Sequence, residues 1–157
     1  MVAARDIPKA YTPPGGWHGE MPPPVLRGCT EPIADGLPDL RGLWRAIRVT
    51  DDAGVDLAPN PIPGYVERIE QAGNRVVITS AGIIHDMYAD GTFDNGVNDV
   101  MQSDFTTRIT VSGSFEDGAL VLRPQGFDGV EIRRWREGDH LRWRYFSLFN
   151  ATLERVD

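Results

Sequence analysis

Cysteine is almost missing from this chain: Cys29 stands alone among 157 residues. A single thiol closes no intramolecular disulfide, so the fold does not depend on oxidation. Excess positive charge is missing too, with 16 Lys and Arg against 23 Asp and Glu and a formal net charge of -7. Nucleic acids and anionic lipid surfaces require clustered cations, so neither is an expected partner. The one basic stretch, Arg133, Arg134, Arg136, Arg142 and Arg144, is divided by strand alternation over both faces of a hairpin. No apolar run approaches the ~18 residues of a membrane span. The N-terminus lacks a charged start followed by an apolar core, and Pro8, Pro13 and Pro14 interrupt it early. A cytoplasmic placement is the expectation.

Histidine is scarce as well. His18, His85 and His140, with one cysteine, offer no zinc-ligand spacing. The acidic stretch 90–99 resembles a calcium loop only superficially. Glycine is not sixth from Asp90, and Met101 rather than glutamate is twelfth. No metal and no cofactor are expected. The Gly-rich phosphate loop and the nucleophile elbow are also absent. Cys29, between Gly28 and Thr30, has no activating base beside it.

A sustained helical period is the last absence, and it decides the fold class. From Leu40 onward, short runs rich in Val, Ile, Thr and aromatics alternate with turn residues. Strands are predicted at 42–50, 64–71, 75–80, 83–89, 104–114, 119–124, 130–136, 141–146 and 151–156, with a short one near 96–101. Ala72-Gly73-Asn74, Ala89-Asp90-Gly91, Glu116-Asp117-Gly118 and Glu137-Gly138-Asp139 carry the residues that tight turns need for positive φ. Strands joined this closely form an up-and-down meander, and closure into a barrel disposes of its edges. The expected fold is all-β: a single antiparallel up-and-down β-barrel of 8–10 strands. An open sandwich is the alternative.

Residues 1–38 form a separate, irregular arm. It holds Pro8, Pro13, Pro14, Pro22, Pro23, Pro24, Pro32 and Pro38, eight of the 12 prolines. Proline at this density excludes a helix and favours extended chain. Tyr11, Trp17, Met21, Val25 and Leu26 are apolar anchors that need a surface, on this domain or on another subunit. A homodimer is favoured on that ground. The barrel is assigned to 39–157.

The first barrel strand opens Asp39-Leu40-Arg41-Gly42-Leu43-Trp44, and the last reads Ala151-Thr152-Leu153-Glu154-Arg155-Val156. The Gly-x-Trp resembles the signature of the calycin superfamily, the lipocalin-like and fatty-acid-binding-protein-like barrels. The resemblance covers residues 39–157 and is closest to intracellular fatty-acid-binding and bacterial lipocalin-like domains. Residues 129–139 and 84–87 also resemble uncharacterised bacterial proteins of this type. It implies that Trp44 closes one end of the barrel and that Arg155 stacks across it, a cation–π contact that strengthens when desolvated. Both are structural residues in that reading.

Site residues follow from alternation. His85 and Asp86 are neighbours in one strand, so only one of them faces the interior. His85 is the candidate general acid or base, with Tyr65 or Tyr145 assisting. The apolar wall is assigned to Met87, Phe105 and Trp143, with Thr107 on the same face as Phe105. Arg48 or Arg134 is the candidate interior cation for a carboxylate. The alternative places these arginines outside, paired with Glu67, Glu131 or Glu154. Three functions remain open. The leading one is binding of a small hydrophobic or aromatic molecule, carrying a carboxylate or hydroxyl, in the barrel cavity. The second is a cofactor-free isomerase, cyclase or lyase that uses His85 in the same cavity. The third is an interaction protein whose barrel is filled and whose arm docks on a partner.

Overall fold

The computed structural model describes residues 2–156. Ten strands follow the arm: β1 (Gly42–Thr50), β2 (Val66–Ala72), β3 (Arg75–Ser80), β4 (Ile83–Tyr88), β5 (Val97–Val100), β6 (Arg108–Glu116), β7 (Ala119–Pro124), β8 (Ile132–Glu137), β9 (His140–Tyr145) and β10 (Phe149–Arg155). They form one antiparallel sheet ordered β4-β3-β2-β1-β10-β9-β8-β7-β6-β5. Every neighbour in chain order pairs except β4 with β5, and the first strand pairs with the last. That is an up-and-down barrel. No helix is long and apolar enough to cross a membrane among the described residues.

The tight turns fall where positive φ is affordable. Gly73 (φ 57°), Asp117 and Gly118 (φ 51° and 79°), and Gly138 (φ 61°) make the β2–β3, β6–β7 and β8–β9 hairpins. A register shift between Ala46 and Arg48 in β1 is a bulge. It turns Ile47 and Arg48 outward together.

Direct cross-strand partners share a face, so the register identifies the interior. Glu67 pairs with Ser80, Ile69 with Ile78, and Ile78 with His85. Leu120 pairs with Arg134, Arg134 with Trp143, and Trp143 with Ala151. Most of this interior is solid. Leu40, Trp44, Ile69, Val76, Met87, Leu120, Leu141 and Leu153 are each at most 2% exposed and form one cluster. Met87 reaches β6, where a Cβ on Gly113 would lie 2.8 Å from its Sδ.

One end is closed by Trp44. Its Nε1 donates to the Leu40 carbonyl at 3.0 Å. The Arg155 guanidinium lies 4.6 Å from the ring centroid and that of Arg136 lies 5.4 Å away. Gly42, at φ 151°, has no room for a side chain. A Cβ there would sit 2.6 Å from Arg155 Nη1.

The barrel does not close by a ladder. Between β4 and β5, Tyr88 N donates to the Asn95 carbonyl at 2.8 Å, and His85 Nε2 meets the Val100 carbonyl at 3.0 Å. The arm covers the rest of this gap from outside. Thr12 N donates to Asp99 Oδ2 and Thr12 Oγ1 accepts from Ile84 N, so one residue ties both edge strands. Lys9 Nζ donates to the Gly96 carbonyl at 2.5 Å. Its burial lowers the ammonium pKa from the ordinary lysine value.

The arm is anchored by a buried pair on the outer face. Asp86 accepts from Arg75 Nε and Nη2 at 2.9 and 2.7 Å, and from Ala10 N at 2.9 Å. Arg75 also donates to the carbonyls of Ala4, Ile7 and Pro8. Ala4 and Leu26 of the arm pack with Ala72, Val77 and Ile84, flanked by Trp17 and Val25. Trp17, Val25 and Leu26 of the arm therefore find their surface on this chain's own barrel. Tyr11 remains 54% exposed.

Candidate functional site

The loops β1–β2, β3–β4 and β5–β6, with the adjoining ends of β2, β9 and β10, border a cleft of about 630 Å³ at the barrel mouth. Such a volume suits one small molecule. Tyr65, Trp143, Tyr145 and Phe149 form an aromatic wall, and Ile62 and Pro63 of the β1–β2 loop flank it. Trp17 and Met21 bring the arm to the cleft edge, and Gln102 and Ser103 border it from the β5–β6 loop. No charged side chain borders the cleft.

The aromatic wall is ordered by its own contacts. Tyr145 stacks on Phe149 with centroids 5.4 Å apart, and Trp143 meets Phe149 edge-on at 5.1 Å. Tyr65 and Trp143 lie 4.8 Å apart. These positions share a face because Phe149 pairs with Tyr145 and Ala151 with Trp143. Offset and edge-on pairs of this kind add stability beyond area burial.

Behind the wall lies a buried ion pair. Glu67 accepts from Arg134 Nε and Nη2 at 2.9 and 3.0 Å, with side chains 0% and 5% exposed. Tyr65 Oη donates to Glu67 Oε1 at 2.7 Å and lies 3.0 Å from Ser80 Oγ. The Arg134 guanidinium sits 4.6 Å from the Trp143 ring centroid. Burial, then the Glu67 carboxylate, pushes the Tyr65 phenol well above its ordinary pKa. It stays a hydrogen-bond donor at any physiological pH.

Of the residues singled out from sequence, Tyr65, Trp143 and Tyr145 meet at the cleft. Arg134 lies one layer deeper and Met87 deeper still, 1% exposed in the packed interior. His85 faces inward and Asp86 outward, with His85 on the β4–β5 gap rather than on the cleft. Burial holds the His85 pKa below the ordinary imidazole value, against a raising effect of its bond to Val100.

Three residues stand elsewhere than alternation predicted. Arg48 is outside, ion-paired with Asp56 at 2.9 Å, because the β1 bulge reverses the face. Phe105 and Thr107 precede β6 instead of belonging to it. Asp104 accepts from the N–H groups of Thr106 and Thr107 and from the Thr107 hydroxyl, which makes a turn in which Phe105 takes φ 57°. The Phe105 ring packs between Gly16 of the arm and Gly82 of the β3–β4 turn. A Cβ on Gly82 would lie 2.7 Å from it. Sequence reasoning did not single out Phe149, Trp17, Gln102 or Ser103 for the cleft. It named Glu67 only in the alternative reading, as one of three outside partners for arginine.

Comparison with known structures agrees with this architecture. Human cRBP IV, a cellular retinol-binding protein, superposes with a TM-score of 0.58 at 18% identity, covering 75% of this chain and 98% of that one. The chain shares the barrel fold of that protein. The barrel interior of this chain is closed at Trp44 and open at the aromatic cleft. No protein-family model matches the chain. No curated protein sequence matches it either.

Proposed function

We propose that this calycin-type barrel binds a small apolar or aromatic molecule in the cleft at its mouth. The observation that carries the reading is the cleft itself: about 630 Å³ bordered by Tyr65, Trp143, Tyr145 and Phe149. A fold shared with a cellular retinol-binding protein supports a hydrophobic ligand of that size class. The ligand sits in the mouth and not in the barrel centre, which Met87, Leu120, Leu141 and Leu153 fill.

The arrangement around His85 and Tyr65 favours binding over turnover. The imidazole of His85 is engaged with the Val100 carbonyl away from the cleft. The Tyr65 hydroxyl is held by Glu67 and Ser80. Neither is free to exchange a proton with a molecule in the cleft, as acid–base catalysis requires. The filled centre alone would fit an interaction protein, yet the arm packs on its own barrel and leaves the cleft accessible.

Titration with N-phenyl-1-naphthylamine, a neutral aromatic probe, tests the reading. Saturable fluorescence enhancement with one site per chain is expected. Absence of binding up to the solubility limit of the probe would refute it.

A further inference from the structure

We propose that the cleft selects neutral ligands over anionic ones, and that Glu67 sets this selectivity by holding the charge of Arg134. The inference rests on the reading of the cleft as a ligand site and adds the chemical class of its occupant.

An interior arginine in a ligand-binding barrel suggests recognition of a carboxylate by paired hydrogen bonds. Here that capacity is already used. Arg134 is 4% exposed and spends Nε and Nη2 on the two oxygens of Glu67. Glu67 is 0% exposed and receives the Tyr65 hydroxyl as a third donor. The pair sums to zero charge directly behind the aromatic wall. An anion in the cleft would meet attraction from Arg134 and repulsion from Glu67 at similar range. It would lose water with no uncommitted counter-charge, which is unfavourable.

The cleft border agrees. None of its side chains is an acid, a lysine, an arginine or a histidine. What it offers is neutral. Gln102 is half-buried and Ser103 exposed, and both border the mouth beside the aromatic wall. An amide and a hydroxyl complement a ketone, aldehyde or alcohol. The occupant is therefore an aromatic or polycyclic apolar body carrying a neutral oxygen function.

Two probes with one skeleton separate this from the parent reading. N-phenyl-1-naphthylamine is neutral, and 8-anilinonaphthalene-1-sulfonate adds a sulfonate. The full-length protein is titrated with each. The neutral probe is expected to bind at least tenfold more tightly. Equal affinity, or a preference for the sulfonate, overturns the selectivity and leaves the cleft reading standing. Binding of neither overturns both. In Glu67→Gln, Arg134 becomes an unpaired interior cation, and the affinity ratio should shift at least tenfold toward the sulfonate. An unchanged ratio in the folded variant contradicts the role of Glu67. If Glu67→Gln does not fold, Glu67→Gln/Arg134→Met removes both charges. It should keep the neutral preference of the native protein, and tight sulfonate binding by it would overturn the proposal.

Discussion

Replacing Arg75 with alanine should release the N-terminal arm and destabilise the barrel edge that it covers. The Arg75 and Asp86 side chains are 2% and 1% exposed and joined by two hydrogen bonds. Removing one partner of such a pair costs about 3–5 kcal/mol, because the other charge stays buried. Asp86 would keep only the Ala10 amide. The carbonyls of Ala4, Ile7 and Pro8 would also lose their donor, at ~1–3 kcal/mol each if they remained buried. They need not remain so. The arm is a surface layer, so undocking rehydrates these groups and limits the total to about the cost of losing the arm contacts. Taking ~3–5 kcal/mol and ~2–4 °C per kcal/mol for a domain of this size, the melting temperature falls by roughly 6–20 °C. Calorimetry measures that shift. Amide hydrogen exchange locates it, through lost protection at Ala10 and Thr12, whose N–H groups are bonded to Asp86 and Asp99. A melting temperature within ~2 °C of the native value, with both amides still protected, would refute the assignment of Arg75 as the anchor of the arm.

Lowering the pH should weaken the fold through His85. Burial depresses its native pKa while the unfolded chain takes its proton near pH ~6.5. The unfolded state thus binds more protons below that point, and stability falls as the pH drops below about 6.5 by at most ~1.4 kcal/mol per pH unit. Urea unfolding of His85→Gln, which keeps an amide donor for the Val100 carbonyl, should show a flatter slope, and an equal slope would contradict the account. Carboxylates such as Glu116, held near 2 by hydrogen bonds from Arg123 and then Ser114, lose their contribution only below about pH 5. Ser103→Trp should fill the cleft from an exposed loop position with no side-chain hydrogen bond to break. N-phenyl-1-naphthylamine binding should drop at least tenfold at an unchanged melting temperature, and undiminished binding would place the probe elsewhere.

The sequence was most readable where structure is local. Hairpins at Gly73, Gly118 and Gly138 follow from residues that tolerate positive φ. Alternation in β9 correctly separates Leu141, Trp143 and Tyr145 from Arg142 and Arg144. It fails in β1, where the shift between Ala46 and Arg48 reverses the face, and before β6, where the Asp104 turn replaces strand. Neither feature leaves a periodic trace. Glu67 illustrates a different limit. In Val66-Glu67-Arg68-Ile69-Glu70-Gln71 charged residues occupy both faces, so polarity cannot say which one is inside. Its partner Arg134 is 67 residues away, and only closure of the barrel brings them together. The arm was ambiguous for the same reason. Trp17 needed a buried environment, and the Ile83 carbonyl that accepts its Nε1 proton lies 66 residues along the chain.

The central claim, a ligand site at the barrel mouth, is tested most directly by the indole N–H resonances of the four tryptophans in a ¹H–¹⁵N correlation spectrum. Trp17 and Trp143 border the cleft, whereas Trp44 closes the opposite end and Trp135 lies on β8 against Arg142. On titration with N-phenyl-1-naphthylamine, the Trp17 and Trp143 signals should shift together in a saturable manner while those of Trp44 and Trp135 stay in place. Shifts at Trp44 or Trp135 with Trp143 unmoved would contradict a mouth-cleft site.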